Sequence, residues 1–549
     1  MNSEIVKNME LSLSPQGLEL EYQSVFTQES VAFVFNLVTE FQPRVDQILR
    51  QRKLRKLELE ISNVLPDFSS LDFPGESAGW TISPLPQRLQ NRQLDLGDVA
   101  PHDSNLLKNA LQANVQGIQV DFDDGNCPSW ANQIKGIANV IKVIKGDFFP
   151  NEIPSLEQSP LLLLRPRAWN MNEHNLMING KEVPGPMMDF GILISSIGKS
   201  LFEKGVGPYF YLPKLENAAE AKLWDDIFTW SEKSLDLPFG AIKACVLIEN
   251  ILAAFEAEKI LFELRHHSFG LNCGVWDYAA SIINKLGGKP DFVIPDRNKY
   301  VNLEQPFLQN YMRLVISVCQ KHGAPCTGGM VPFMLDSFDV AEKNKILINI
   351  MKTKRKELQM GINGFLTYDI GSVPIFQGSL FSNSSDPDLP PPVPAACSVD
   401  ENAIFTNQDL LKIPAGGVTH FGLVKNIRVG TLFIYSWIAE GKGHFILDGC
   451  VEDSATAEIS RSQVWQWIYH GVKLEDESQE KVTKTLVSQM VWRGFAELMN
   501  PNQGSVSYNQ KHLETSCDIF LELVTAHDFP EFMTTYLYNN SLFRKLQDS

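Results

Sequence analysis

The apolar positions in the middle of the chain form short, nearly uninterrupted runs that alternate with longer stretches of helical spacing. From about residue 92 the runs are RQLDL, VQGIQVDFDD, LLLLRPRAW, PYFYLPKL, IKACVLIE, FGLNCGVWD, GAPCTGGMVP and GFLTYDIGS. Short apolar runs bounded by turn residues are typical of buried parallel strands, and intervening stretches such as FGILISSIGKSLF have amphipathic helical spacing. This alternation predicts an α/β protein, specifically a closed (β/α)8 TIM barrel, with a doubly wound open sheet as the alternative.

The pattern changes on both sides of this region. Residues 29–60 place Val, Phe, Leu and Ile on one side of a helix and charges on the other, which predicts an N-terminal helical segment over 1–90. The barrel is then expected over 91–381. Residues 382–398, SNSSDPDLPPPVPAACS, are rich in Pro and Ser and predict a linker. Helical periodicity without strand alternation predicts a C-terminal helical domain over 399–549.

Composition narrows the classes of function. The chain has 549 residues, 44% hydrophobic and 21% charged, and these values are ordinary for a globular protein. No apolar run approaches the ~18 residues of a membrane span, so we expect no membrane partner. The net charge of −17 argues against nucleic-acid binding. An acidic protein that binds an anionic substrate needs locally concentrated positive charge, such as buried arginines or Mg²⁺.

Motifs and cysteines exclude further classes. Neither GxGxxG after a strand nor GxxxxGK[ST] occurs, so dinucleotide and P-loop binding have no support. The eight cysteines lack a CxxC pair and are expected to be reduced thiols. The first residues contain acids and no apolar segment, which argues against a secretory signal. We therefore expect a cytoplasmic protein.

Two carboxylates, Glu249 and Asp277, each follow an apolar run that predicts a strand. The carboxyl ends of parallel strands meet at one edge of the barrel, where active sites lie. Two oxygen ligands with room for water and substrate suit Mg²⁺. The alternative is that each acid only caps the helix that follows it.

Several longer stretches resemble the malate synthase family in its shorter, A-type form. They are LLLLRPRAWN, GPYFYLPKLENAAEAKLW, IKACVLIEN, LRHHSFGLNCGVWDY, VIPDR, QPFLQNYMRLVISVCQKHGAPCTGGM and VEDSATAEISRSQVWQWI. The resemblance extends from about residue 20 to near the end of the chain. It implies an acyltransferase of the glyoxylate bypass, which condenses acetyl-CoA with glyoxylate in a Mg²⁺-dependent reaction and hydrolyses the product to malate and CoA.

The resemblance also implies roles for individual residues. Glu249 and Asp277 match the metal ligands, and Arg165 matches a catalytic arginine that stabilises negative oxygen, with Arg167 as the alternative. Asp453, in CVEDSATAEISR, matches the catalytic base that removes a proton from the acetyl methyl group. The sequence alone favours Asp453 as a helix cap.

Further residues match the surroundings of this site. Gly274, Val275 and Trp276 are expected to hold the glyoxylate carboxylate at a helix N-terminus, although the Trp276 side chain is equally consistent with core packing. Gly328, Gly329 and Met330 are expected to line the path of acetyl-CoA. Asp121, Asp123 and Asp124, in VDFDDG, match an acidic motif that orients the metal ligands and Arg165, with Asp123 where the family usually has Glu.

The chain departs from the family after the eighth predicted strand. Relatives have Ala-His-Pro-Gly there, whereas this chain has Tyr368, Asp369, Ile370 and Gly371 within the 363–377 segment. The alternatives are therefore an enzyme with altered acyl preference, of methylmalate synthase or malyl-CoA lyase type, and a non-catalytic binding protein. The final residues, FRKLQDS, lack a Ser-Lys-Leu ending, so a peroxisomal or glyoxysomal location is only the second expectation.

Overall fold

The structure is a computed structural model that describes residues 7–68, 79–381, 404–476, 478–500, 507–541 and 543. The linker predicted over 382–398 lies outside the described residues. Contacts within the chain define two compact units. The barrel unit comprises Met1–Lys53, Phe68–Gly274 and Arg313–Ile404, and the helical unit comprises Leu54–Asp67, Val275–Met312 and Phe405–Ser549.

The strands are β1 Met9–Leu11, β2 Leu94–Val99, β3 Gly117–Asp121, β4 Leu161–Arg165, β5 Asn172–Ile178, β6 Lys181–Pro184, β7 Tyr209–Leu212, β8 Lys243–Ile248, β9 Ser268–Cys273, β10 Cys326–Val331, β11 Gly364–Thr367, β12 Phe445–Leu447 and β13 Cys450–Glu452.

The α-helices are α1 Glu19–Val25, α2 Gln28–Ile61, α3 Ser104–Leu111, α4 Trp130–Lys145, α5 Gly185–Glu203, α6 Ala218–Ser234, α7 Ile251–Phe255, α8 Ala257–Glu263, α9 Val275–Leu286, α10 Arg297–Tyr300, α11 Pro306–Lys321, α12 Val340–Met360, α13 Val373–Phe376, α14 Asn407–Leu411, α15 His420–Tyr435, α16 Ser454–His470, α17 Lys484–Leu498, α18 Gln510–Thr525 and α19 Met533–Asn539.

The barrel unit contains a closed parallel barrel in the order β10-β11-β2-β3-β4-β7-β8-β9. Its strands are short and almost wholly buried, as in the run Leu161–Leu164, because helices cover the outside while side chains fill the inside. β3 and β4 pair in register, so that Asp121 lies opposite Arg165 where both strands end. The predicted (β/α)8 barrel is confirmed, and the doubly wound alternative is wrong.

The barrel unit also contains strands that the apolar pattern did not predict. β1 pairs antiparallel with β5, and β5 pairs with β6, in a small separate sheet. β1 has three residues and lies in a segment predicted to be helical. A strand of three residues contains too few positions for an alternating pattern to be recognised. Its pairing partner, β5, also lies far away along the chain, so no local turn signal indicates the pairing. The helix expected over 29–60 is present as α2.

The helical unit is built around α16, which packs against α9, α15 and α18. Polar side chains on α16 bind loop carbonyls: Trp467 donates its indole N–H to the Ile294 carbonyl at 2.9 Å. The predicted helical character is confirmed, with one correction. β12 and β13 form an antiparallel hairpin immediately before α16, in a region where no strand was expected. Among the described residues, no helix combines the length and apolar character that crossing a membrane requires.

Candidate active site

Arg165 is the last residue of β4, and its side chain is only 4% exposed. Its Nε donates to Asp121 Oδ1 at 2.7 Å and its Nη2 to Asp121 Oδ2 at 2.6 Å. This two-point contact fixes the plane of the guanidinium, because the fork of donors matches the carboxylate. The apolar run before Arg165 forms β4 and therefore holds the charge at the carboxyl end of the barrel.

Two further carboxylates surround the same guanidinium. Asp124 Oδ2 lies 2.9 Å and Asp98 Oδ1 lies 3.5 Å from Arg165 Nη2. Burial alone would lower the pKa of Arg165, but Asp121, Asp124 and Asp98 outweigh it and raise that pKa well above its ordinary value. Arg165 is thus a permanent cation in a fixed orientation, and its Nη1 has no hydrogen-bond partner among the described residues.

Lys214, which sequence reasoning did not identify, joins this arrangement from the loop after β7. Its ammonium lies 2.5 Å from Asp123 Oδ2 and 2.6 Å from Asp124 Oδ1, with the side chain 7% exposed. Its backbone N–H donates to Glu249 Oε1 at 2.7 Å. A signal was available, since Lys214, like Arg165, is a basic residue directly after an apolar run. We call Asp98, Asp121, Asp123, Asp124, Arg165 and Lys214 the charged cluster.

The backbone of Lys214 is in the left-handed region, with φ of 55°. Few residues other than Gly adopt this conformation, which is unfavourable for a side chain with a Cβ. The conformation is retained because it directs the backbone N–H at Glu249 while the side chain reaches Asp123 and Asp124. The carbonyl of Lys214 accepts a hydrogen bond from Arg52, which also pairs with Glu220.

Glu249 follows β8 directly and is 3% exposed. Burial raises the pKa of Glu249 to about 7, although the nearby Lys214 and Arg165 favour its charged form. A Cβ added to Gly274 would lie 2.8 Å from both Glu249 Cβ and Oε2, so Gly274 allows the backbone to approach this carboxylate closely.

Within the described part of the chain, no group of three or more His, Cys, Asp or Glu side chains is arranged to hold a metal ion.

The apolar run predicted that Asp277 follows the end of a strand directly, but the structure places Asp277 in a helix. β9 ends at Cys273 and α9 begins at Val275, which places Val275, Trp276 and Asp277 in the first helical turn. The expected turn over 274–276 is therefore shorter, since only Gly274 separates strand from helix. The apolar run continued through Val275 and Trp276 because the start of the helix is also largely apolar.

Arg297 is a second cation that sequence reasoning missed, and it lies in the helical unit. Its guanidinium carbon is 5.2 Å from the centre of the Trp276 ring, and its Nε donates to Asn426 Oδ1 at 3.1 Å. Its Nη2 lies 3.6 Å from Glu452 Oε2. Arg297 thus connects the residue before Asp277 with the residue before Asp453. The motif VIPDR contained it, but no pattern in the sequence assigned it a partner.

Asp453 is the N-cap of α16. Its Oδ1 accepts the Thr456 N–H at 2.9 Å, and the Thr456 hydroxyl accepts the Asp453 N–H at 2.9 Å. This reciprocal capping box confirms the helix-cap interpretation. Asp453 is partly exposed, and its Oδ2 has no hydrogen-bond partner among the described residues. Capping by one oxygen leaves the other oxygen available for chemistry.

Arg167, the alternative to Arg165, is buried between two carboxylates of the barrel unit. Its Nη2 lies 2.8 Å from Asp189 and its Nη1 2.8 Å from Glu173, and all three side chains are at most 1% exposed. All three guanidinium nitrogens of Arg167 are hydrogen-bonded within the protein, Nε and Nη2 to Asp189 and Nη1 to Glu173. Its interactions therefore stabilise the loop after β4.

Gly328, Gly329 and Met330 all lie in β10. Gly328 packs so closely that a Cβ there would lie 2.5 Å from Glu357 Oε2, and the Gly329 carbonyl accepts a hydrogen bond from Lys354 at 2.9 Å. The close contact gives Gly328 a packing reason, whereas a Cβ at Gly329 would come no nearer than 3.4 Å, to the Cys273 carbonyl. Their role in lining the acetyl-CoA path stays a prediction.

A closed parallel barrel of eight strands, with charged side chains at the carboxyl ends of the strands, defines a protein of the TIM-barrel class. Two family models match the chain: the malate synthase TIM barrel domain over residues 161–387 and the malate synthase C-terminal domain over 417–541. The chain belongs to the malate synthase family.

The similarity to known proteins extends over nearly the whole length of this chain and of each relative. The chain is 34% identical to a malate synthase of Myxococcus xanthus over 524 residues, which cover 94% of each protein. It is 33% identical to malate synthase A of Escherichia coli over 543 residues, covering 97% of this chain and 98% of the relative. It is also 33% identical to a malate synthase of Dictyostelium discoideum over 94% of each. Malate synthase is the function that fold and relatives support together.

Proposed function

We propose that this protein is an acyltransferase that condenses acetyl-CoA with glyoxylate and hydrolyses the resulting thioester to malate and CoA, with Mg²⁺ as cofactor. The observation that supports this most strongly is Arg165. Its orientation is fixed by Asp121, its charge is permanent, and its Nη1 is not used by the described protein. A reaction that develops negative charge on oxygen needs such a preorganised donor.

Glu249 and Asp277 would hold the Mg²⁺. The residues fit this ion in their donor chemistry, because both supply carboxylate oxygen, which Mg²⁺ prefers. Burial raises the pKa of Glu249 to about 7, so the site favours a positive charge beside that carboxylate. When bound, the ion would polarise the glyoxylate carbonyl group. Lys214 orients Glu249 through its backbone N–H.

The N-terminus of α9 would bind the glyoxylate carboxylate. Gly274, Val275 and Trp276 precede or begin this helix, whose first backbone N–H groups lack partners within it. Gly274 has no side chain to exclude the ligand. Arg297 restrains the Trp276 ring. Gly328, Gly329 and Met330 would line the path of the acetyl-CoA arm.

Asp453 would remove a proton from the acetyl methyl group through Oδ2. The carbanion equivalent then attacks the aldehyde carbon of glyoxylate, so that the new carbon–carbon bond forms as the carbon–oxygen π bond opens, while Arg165 stabilises the oxygens that gain negative charge. The resulting alkoxide takes up one proton, which balances the proton that Asp453 removes, and becomes the hydroxyl of the malyl thioester. Water finally cleaves the thioester, releasing CoA and malate.

A thiol-release assay tests the proposal. The purified full-length protein should release free CoA only when acetyl-CoA, glyoxylate and Mg²⁺ are all present, with each omission as a control. Absence of thiol release in the complete mixture contradicts the proposal and favours a binding protein. Faster turnover of propionyl-CoA than of acetyl-CoA would favour the enzyme with altered acyl preference, which the departure at 368–371 motivates.

A further inference from the structure

A cavity of about 410 Å³ opens at the amino-terminal end of the barrel. Its lining residues are Ser83, Pro84, Leu85, Pro86, Phe239, Gly240, Lys243 and His266. Lys243 is the first residue of β8, whereas Glu249 follows the last. At ~3.3 Å per residue, the cavity and Glu249 are separated by about 20 Å, so this cavity is distinct from the candidate active site.

Lys243 is a buried cation that lacks a paired anion. The residue is 4% exposed, and its ammonium donates one hydrogen bond, to the His266 carbonyl at 2.7 Å. No described carboxylate lies within ion-pair distance. The charge of Glu232 favours the protonated form of Lys243, but that carboxylate accepts the backbone N–H groups of Gly240 and Ile242. Burial accordingly lowers the pKa of Lys243.

Such a charge has an energetic cost that packing alone does not explain. Buried ammonium groups are unfavourable unless they are paired and fully hydrogen-bonded. At the amino-terminal end of a barrel, residues ordinarily contribute to stability. Two ammonium N–H bonds of Lys243 have no described partner and are available to a bound anion.

The other walls of the cavity are neutral or apolar. His266 Nδ1 lies 3.3 Å from Ser83 Oγ, and burial lowers the pKa of His266, so this pair adds neutral hydrogen-bonding groups. Phe239 is 62% exposed and its ring lies 5.4 Å from the His266 ring. Pro84 and Leu85 provide further apolar surface.

We propose that this cavity is a second binding site, for a small organic carboxylate with an apolar body. The carboxylate would accept hydrogen bonds from Lys243, and the apolar body would lie between Phe239 and the Pro84–Leu85 wall. Ligand pockets commonly combine apolar walls with a few polar groups that fix orientation. The site is independent of the proposed catalytic reaction.

Ligand-observed NMR titration of the full-length protein with benzoate tests this site. We expect saturable benzoate binding that excess glyoxylate does not displace. Benzyl alcohol should bind at least about tenfold more weakly, because it lacks the charge that strengthens the hydrogen bond from Lys243. Inorganic phosphate should also bind at least about tenfold more weakly, because it has no apolar body to bury against Phe239 and the Pro84–Leu85 wall. No benzoate binding, or full displacement by glyoxylate, overturns the proposal, as does phosphate binding as tight as benzoate.

Two variants localise the binding. Lys243→Met should weaken benzoate binding by about tenfold or more, and the exposed Lys233→Met is its matched control. Phe239→Ala removes an exposed wall with little risk to folding, and Phe202→Ala, at a position 39% exposed, is its control. Unchanged benzoate affinity in Phe239→Ala overturns the proposal even if Lys243→Met fails to fold. The thiol-release assay tests the proposed catalytic function and does not depend on benzoate binding. The failure of one proposal can therefore be distinguished from the failure of the other.

Discussion

The backbone N–H of Lys214 donates to Glu249 Oε1 at 2.7 Å while the ammonium of the same residue bridges Asp123 and Asp124. One residue thereby connects a proposed metal ligand with the acids that surround Arg165. The left-handed φ of Lys214 makes both contacts possible from one position. Such neighbouring groups orient metal ligands, and changing them commonly lowers metal affinity by about 10–100-fold.

Replacing Lys214 by Met should destabilise the protein. Asp123 and Asp124 would remain buried without this cation, and loss of one partner of a buried ion pair costs roughly 3–5 kcal/mol. Denaturant unfolding of both proteins measures the difference. The control is Lys181→Met, which removes a 2.8 Å pair with Asp46 at a side chain 63% exposed. An equal decrease in the free energy of unfolding in the two variants would contradict the prediction, because the buried Lys214 pair would then contribute no more to stability than the exposed Lys181 pair.

Replacing Gly274 by Ala should weaken Mg²⁺ binding without preventing folding. The new Cβ would lie 2.8 Å from both Cβ and Oε2 of Glu249, so the whole Glu249 side chain must move, and its carboxylate with it. Loss of ligand orientation commonly lowers metal affinity by about 10–100-fold. Calorimetric titration with Mg²⁺ alone measures the change without relying on turnover. Gly288→Ala, where a Cβ meets nothing within 4 Å, is the control and should retain the affinity of the unaltered protein.

Replacing Asp453 by Asn should abolish turnover and leave stability nearly unchanged. Asn caps helices about as well as Asp, so the bond from Thr456 N–H is retained, whereas the amide cannot accept the proton. Thiol release should fall by at least about 100-fold. Asp339→Asn, at the N-cap of α12, is the matched control and should keep full activity. Substantial thiol release by Asp453→Asn would exclude this residue as the base.

His267 should make stability depend on pH. It is fully buried, with Nδ1 2.7 Å from Asp225 and Nε2 3.3 Å from Glu232. Burial alone would lower the pKa of His267, but the two carboxylates outweigh it and raise that pKa. The bound proton therefore contributes stability that is complete below the unfolded pKa of about 6.5 and is lost as pH rises through the higher folded pKa.

Unfolding free energies between about pH 6 and pH 9 measure this contribution. The unaltered protein should lose more stability over that range than His267→Gln, which has no proton to release. His527→Gln, at an imidazole 96% exposed, should behave like the unaltered protein. Parallel pH profiles for all three proteins would show that His267 is neutral in the folded state.

The sequence by itself determined the barrel and the end of it where the charged residues lie. Each of the eight apolar runs forms a barrel strand, because an uninterrupted apolar segment is stable only when both faces are buried. The sequence also predicted that Asp453 caps a helix, because its capping partner Thr456 is only three residues away. Interactions between near neighbours in the chain depend little on the rest of the fold.

Only the tertiary structure decided which charges meet. Lys214 and Asp123 are far apart in sequence, and so are Arg297 and Glu452, and no periodicity encodes such pairs. The difference between the surroundings of Arg165 and those of Arg167 has the same origin. Both follow one strand, but the loop after β4 encloses Arg167 between Asp189 and Glu173, whereas the barrel edge leaves part of Arg165 unused. Long-range pairing follows from chain topology, which brings together carboxylates and cations that are distant in the sequence.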